Sequence, residues 1–263
     1  MEIAVRTQTP IVSASHPLTN QVIYTLAEPL LPTCHRILDL GCGQGHMTQR
    51  LATGLGRLQR PPNQILQACD LFPEGYACPE IPFIQADLNR PLPFDDATFD
   101  LIVAVEVMEH IHRFYDLLME CTRILRPGAV LIFSVPNILH MNARLSFLMT
   151  GFYDMYIVPT IDSAKAGRLC GHVMPLSLAY LAYGLRRAGF TDISIHPDKR
   201  KKSATALALL CHPLLKLGSW WYDRKIQNYD VQVHAENRAI LAAMNGFDML
   251  TARSCILKAR KPT

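Results

Sequence analysis

Arg36-Ile-Leu-Asp-Leu-Gly-Cys-Gly-Gln-Gly-His46 is the stretch from which the rest of the chain can be read. The apolar run from Ile37 to Leu40 has the character of a buried parallel strand, and it breaks at Gly41, Gly43 and Gly45. A residue without a Cβ lets backbone turn sharply and come close to a ligand. Met47 to Leu55 can then form a helix, which gives a strand, a glycine loop and a helix in succession. Such a unit holds a small ligand at the carboxyl end of its strand. The dinucleotide fingerprint needs G-x-G-x-x-G. Here the third glycine comes one residue early, and His46 stands where that fingerprint has glycine.

Four further blocks follow in order. Ile65-Leu-Gln-Ala-Cys-Asp70 reads as a second strand ending in an acid, and Ile84-Gln-Ala-Asp-Leu-Asn89 as the next element. Phe99-Asp-Leu-Ile-Val-Ala-Val-Glu-Val-Met-Glu-His110 reads as a fourth strand, and Leu125-Arg-Pro-Gly-Ala-Val-Leu-Ile-Phe133 as a turn and a fifth. Together with the glycine loop, these blocks resemble the class I S-adenosylmethionine-dependent methyltransferases, nearest to the small-molecule type 11/23 group. The resemblance covers residues 36–136. It implies a doubly wound, mostly parallel seven-stranded α/β sheet of Rossmann-like type with a helical cap. The chain departs from the family pattern in the length of its first βα segment, where Arg60-Pro-Pro-Asn63 reads as an extra loop.

The resemblance also implies the cofactor, S-adenosylmethionine, and where it lies. Asp39, Gly41, Gly43 and Gly45 are assigned to its methionine half, Asp70 to the ribose, and Asp87 with Leu88 to the adenine; Glu106 joins the same set. For Asp87 a turn or cap acid is the alternative. On a helix starting after Val105, Glu106, Glu109 and His110 would share a face. E-x-x-E-H so placed is similar to two metal-dependent branches, the quinone-biosynthetic O-methyltransferases and the small-RNA 3′-end methyltransferases, with His172 as a later ligand. In many metal-free members the same residues cap the helix and order the cofactor loop, and no metal ligand is assigned on this reading. His140 and His172 are the candidates for catalytic roles, because they flank the ends of strands four and five, where open α/β sheets place their sites. Tyr153, Tyr156 and Arg144 read as walls of the acceptor pocket.

Composition agrees with a globular α/β chain: 263 residues, 49% of them hydrophobic. Eight cysteines form no C-x-x-C pair, so neither a zinc knuckle nor a disulfide framework is indicated. Met1 to His16 has Glu2 and no apolar core, which argues against a secretory leader and for the cytoplasm. Charge is divided. Residues 1–135 hold nine Arg, no Lys and fourteen acids, whereas 136–263 hold seventeen Lys and Arg against eight acids. An acidic cofactor half suits a sulfonium ligand; the basic half suits either solvated helix faces or an anionic acceptor or surface.

Periodicity divides the chain into an N-terminal helical lead-in (1–35), with a helix at Thr19 to Leu30 over the cofactor entrance, the core (36–136), an acceptor-side lid (137–176), and the rest of the sheet (177–263). That last part contains a hydrophobic helical insertion at about 200–250. Its first portion runs from Lys199-Arg-Lys-Lys202 through mostly apolar residues to Trp220 and Trp221. Three readings stay open. One is a cap or homodimer helix. Another is a helix lying on a membrane surface through 199–221, which would make the acceptor lipid or isoprenoid-linked. The third is a membrane span, against which His212, Pro213, Lys216 and Gly218 argue. The acceptor is expected to be a small molecule or lipid. Nucleic acid is disfavoured, because no N-P-P-Y-type tetrad follows the fourth strand and the basic residues lack interleaved aromatics. The competing function is a catalytically silent S-adenosylmethionine-binding subunit that works through a partner protein.

Overall fold

Strands buried on both faces need no alternation of polar and apolar residues, and the central strands here have none. The structure, a computed structural model, describes residue 11 and residues 13–156 and 171–263. Seven strands form one sheet: β1 (Ile37–Leu40), β2 (Leu66–Asp70), β3 (Phe83–Gln85), β4 (Phe99–Val105), β5 (Leu125–Pro136), β6 (Thr191–Pro197) and β7 (Ser254–Arg260), in the order β3-β2-β1-β4-β5-β7-β6. All neighbouring pairs are parallel except those of β7, which runs antiparallel to β5 and β6. Successive residues feed opposite layers. Ile37, Leu101 and Val103 pack with one hydrophobic cluster, and Leu38, Ile102 and Ala104 with the other.

The first layer is closed by α1 (Pro17–Ala27) and α2 (His46–Arg57), through Ile23, Tyr24, Ala27, Leu51 and Leu55. The second is closed by α4 (Phe114–Ile124), which follows a short helix α3 (Pro62–Ile65), and by α6 (Leu178–Arg187). The chain runs from β1 outward to β2 and β3, then crosses to β4 on the other side of β1. The sheet therefore reverses its order beside β1, which places a ligand crevice at the carboxyl ends of β1 and β4.

The expected lid begins as α5 (Met141–Thr150); residues 157–170 of that segment lie outside those described. Within the expected helical insertion, residues 202–229 form one helix, α7 (Lys202–Tyr229), which runs through Pro213 and Gly218. It pairs with α8 (Val231–Met244), and the short α9 (Phe247–Thr251) leads into β7. One expectation needs correcting: the chain after Val105 is not a regular helix. Glu106 has φ +52°, and only a single 3-10 turn, Met108–His110, follows.

The seat of α1 depends on a glycine. A Cβ at Gly54 would lie 2.6 Å from the Tyr24 hydroxyl and 2.7 Å from Leu31 Cδ1, and both of those side chains are buried. Gly54→Val is therefore expected to lower the melting temperature by roughly 5 °C or more, the usual result of overpacking a tight contact. Scanning calorimetry showing an unchanged transition would contradict this packing of α1 on α2.

Candidate functional site

The glycine loop turns through left-handed backbone at Gly41 (φ +72°), Gly43 (φ +53°) and Gly45 (φ +93°). The three glycines have different surroundings. A Cβ at Gly41 would meet Val107 at 2.6 Å, and one at Gly45 would meet Cys78 Sγ at 3.0 Å, whereas one at Gly43 would meet nothing within 4 Å. The space beside Gly43 is a cleft of about 660 Å³, lined by Asp39, Gly41, Gly43, His46, Val105 and Glu106 among others. Asp70, at the end of β2, closes the loop: its Oδ2 accepts from the Gly43 amide at 2.8 Å, and its Oδ1 from the Phe72 amide at 3.1 Å.

Asp39 is almost wholly buried, and its Oδ2 accepts from the Thr48 hydroxyl at 2.5 Å. Burial pushes its carboxyl up to about 7; hydrogen bonds from Thr48 oppose the rise and the nearby Asp70 adds to it. Glu106 lines the cleft from β4. Its Oε1 accepts from Arg253 Nη1 at 2.6 Å and from Ser254 Oγ at 2.9 Å, while its own amide donates to Ser134 Oγ at 3.0 Å. Asp198 extends this network, accepting from the Ser254 amide at 2.8 Å and from Thr19 Oγ1 at 2.7 Å. The strained backbone at Glu106 is thus held in place by Ser134 of β5 and by Arg253 and Ser254 at the start of β7.

Asp87 and Leu88 follow β3 outside the lining of this cleft. Asp87 Oδ1 accepts from the Asn89 amide at 2.9 Å and the carboxylate lies 3.3 Å from Arg90 Nε, the local turn that was the alternative reading; the Leu88 side chain is buried in the core. Several lining residues escaped sequence reasoning. Ser13, Ala14 and Ser15 form a wall before α1, tied by Asn20 Nδ2 donating to Ser13 Oγ at 2.9 Å. The buried Asn20 on an otherwise apolar helix face was the signal available for it; nothing local points to Ser13 or Arg253.

Glu106 and Glu109 do not share a helix face. Glu106 faces Arg253, whereas Glu109 turns inward and is fully buried, and neither of its carboxylate oxygens has a hydrogen-bond partner among the described residues. Burial holds that carboxyl well above the usual range. His172 Nε2 lies 3.8 Å from Glu109 Oε1, and its Nδ1 donates to the Met155 carbonyl at 2.8 Å. The His110 and His172 rings meet edge to face at 5.0 Å, and one ligand atom from each of Glu109, His110 and His172 falls within 4.8 Å of the others. A buried carboxyl that accepts no hydrogen bond among the described residues, beside two imidazoles, one of them oriented by a backbone carbonyl, is a donor set that fits a divalent cation.

His140 is not placed for proton transfer. It is fully buried, its Nδ1 caps α5 by accepting from the Ala143 amide at 3.1 Å, and its Nε2 lies 3.2 Å from Lys201 Nζ. His140 thus serves as the cap of α5 and is not among the residues that line the cleft. Arg144 is likewise engaged, donating to the Leu139 and Met244 carbonyls and to Asn245.

A glycine loop opening on a cleft at the reversal point of a doubly wound sheet, with acids at the ends of β1 and β2, defines a cofactor-binding α/β enzyme. Comparisons carry this further. Residues 38–133 match the family described as Methyltransferase domain. A 27-O-demethylrifamycin SV methyltransferase of Amycolatopsis mediterranei is 31% identical over 97 residues, and the match spans only 35% of that enzyme and 35% of this chain. A ubiquinone biosynthesis O-methyltransferase of Coxiella burnetii is 26% identical over 181 residues, 63% of this chain and 69% of that enzyme. A SAM-dependent methyltransferase structure from Archaeoglobus fulgidus has the same fold, with a TM-score of 0.54 at 14% identity over 92% of this chain and 94% of that one. The matched segment, residues 38–133, is thus a methyltransferase domain of the type 11 group, and the chain around it has the class I S-adenosylmethionine-dependent methyltransferase fold.

Two predictions follow from this geometry. Gly43→Leu is expected to leave the melting temperature within a few degrees of wild type while abolishing adenosylhomocysteine binding by calorimetric titration, because the side chain would enter the cleft at a modest left-handed cost. Gly41→Leu would instead overlap Val107 and destabilise the fold, so equal behaviour of the two variants would refute the assignment. The second concerns pH. Burial and the Lys201 ammonium hold His140 down at about 4, against weaker opposition from Asp154, with Arg144 also acting to lower it. The unfolded chain therefore binds this proton below about pH 6.5 and the folded one does not, so stability falls as pH drops from about 6.5 towards 4. His140→Asn, which keeps a cap acceptor, is expected to flatten that part of the melting-temperature profile; a profile parallel to wild type would contradict the neutral buried imidazole.

Proposed function

We propose that the protein transfers a methyl group from S-adenosylmethionine to an oxygen or nitrogen of a small-molecule or lipid-like acceptor. The observation that carries this is the cleft beside Gly43, which a side chain at that position would fill. The bound cofactor supplies an electrophilic methyl sulfonium. Asp39, Gly41 and Gly43 would border its methionine half. Asp70 keeps acceptor capacity for ribose hydroxyls beyond its two backbone bonds, since a carboxylate offers about four lone-pair sites. Glu106, neutralised by Arg253, borders the cleft at the end of β4, where the acceptor would arrive. Holding donor and acceptor in near-attack geometry with water excluded suffices for in-line displacement. The names of two relatives, one acting in ubiquinone biosynthesis and one on a rifamycin, support an O-methylated acceptor of this class.

Glu109, His110 and His172 would hold a divalent cation, which supplies acidification of an acceptor hydroxyl. That neither Glu109 oxygen accepts a hydrogen bond among the described residues favours this over the metal-free capping reading. His172 then serves as a ligand rather than as a base.

Incubation with methyl-labelled cofactor and fractionated cell extract is expected to label a small-molecule or lipid fraction. Label that appears only after a second protein is added would favour the silent-subunit reading instead. Manganese binding followed by electron paramagnetic resonance is expected to weaken at least tenfold in Glu109→Gln and His172→Ala. Unchanged binding in both would remove the cation from the scheme and leave the cofactor assignment standing.

A further inference from the structure

Helix α7 presents two unlike sides. Ala204 and Ala208 are buried against Met141 and Leu250, with Leu207, Cys211 and Leu215 packed beside them, so this side holds the helix to α5 and α9. About a third of a turn round from that face, Leu210, Leu214, Leu217 and Trp221 are spaced i, i+4, i+7 and i+11, which lines them along one stripe. They are 78%, 71%, 60% and 59% exposed, and Leu209 and Trp220 flank them, also exposed. At the far end of the adjoining α5, Leu148 and Met149 are exposed as well. A run of large apolar side chains this long is more than the scattered exposure of an ordinary surface.

Charge says what covers it. From Lys202 to Tyr222 the helix carries Lys202 and Lys216 and no acid. Lys199, Arg224 and Lys225 are exposed at its two ends. The Arg224 guanidinium lies 5.6 Å from the Trp220 ring centre and Lys225 Nζ 5.4 Å from that of Trp221. The first acid on the helix, Asp223, is 2.8 Å from His234 Nε2. A second copy packed stripe to stripe would set these cations against one another. An anionic surface answers all of them. Depth is limited too: no helix among the described residues is long and apolar enough to cross a membrane. Pro213 has no amide to give the Leu209 carbonyl, which is tolerable where water is at hand and costly in hydrocarbon.

We infer that α7 lies in the plane of an anionic lipid bilayer, with Leu210, Leu214, Leu217, Trp220 and Trp221 among the headgroups and upper acyl chains and the flanking cations on the phosphates. This is the geometry of an interfacial amphipathic helix. It bears on the site because the base of the helix is joined to it. The Arg253 amide donates to the Lys199 carbonyl and the Lys201 amide to that of Thr251, one residue pair from the Arg253–Glu106 contact. The surface reading stands whether or not the acceptor is lipid.

Trp220 and Trp221 are the only tryptophans in the chain, so intrinsic fluorescence reports on this helix alone. The full chain, titrated with vesicles of phosphatidylcholine and phosphatidylglycerol at low salt, is expected to co-sediment, to shift its emission to the blue, and to be quenched by lipids brominated near the headgroup. Binding is expected to fall at least tenfold in pure phosphatidylcholine vesicles or 0.5 M salt. It is also expected to fall at least tenfold in L214S/L217S, and several-fold in K216E or K225E, with circular dichroism and melting unchanged because these side chains are exposed. Absence of vesicle binding, or binding equal for neutral and anionic lipid, would overturn the inference. So would a blue emission already present without lipid at concentrations where sedimentation gives a dimer, since the stripe would then be covered by a second copy.

Discussion

The hydrogen bond from the Gly43 amide to Asp70 joins the loops that leave β1 and β2, and the cofactor half of the molecule is arranged around it. Three left-handed glycines within five residues are costly to order, and a loop of that kind keeps one shape only where something fixes it. The 2.8 Å contact supplies that fixing, and α2 then starts at His46 with its first turn facing the cleft. If Asp70 also takes the ribose, as proposed, loop closure and ligand recognition would share one carboxylate. A change at Asp70 is therefore a change in loop shape as much as in contacts.

A second constraint ties the two halves of the sheet together. Glu106 sits at φ +52°, and Ser134, Arg253 and Ser254 hold it there, with Asp198 and Thr19 one bond further out. The antiparallel β7 brings Arg253 and Ser254 beside the end of β5, so a residue 147 positions away in sequence neutralises the acid at the cleft. With Glu106 turned that way, the next acid, Glu109, is left to face His172 inside the protein. One short stretch thus sends its two acids to opposite surroundings because the backbone bends sharply between them.

Much of this was legible in the sequence. The strands at 36–40, 65–70 and 99–105 stood out because both sides of each are covered, leaving unbroken apolar runs between turn signals. The glycine loop could be read because positive φ is written in glycine. Other features were hidden for physical reasons. Glu106 adopts positive φ without being glycine, so a helix was expected where a bend and a single turn occur. His140 looked free for chemistry, yet its place directly before Met141-Asn-Ala-Arg144 is also that of a helix cap, and the cap is what forms. Pro213 and Gly218 spoke against a membrane span, not against a helix, and exposed proline costs α7 one hydrogen bond and not its continuity. Ser13 reaches the cleft, and Arg253 the Glu106 carboxylate beside it, through tertiary contacts alone, and no spacing announces them.

Hydrogen–deuterium exchange in the presence and absence of S-adenosylhomocysteine tests the central claim most directly. The account predicts that the ligand slows exchange at the amides of residues 41–47 and 70–72 and in the segment 13–20, with α7 unaffected in the absence of lipid. Tight binding with protection confined to other parts of the chain, or no slowing anywhere at saturating ligand, would contradict it.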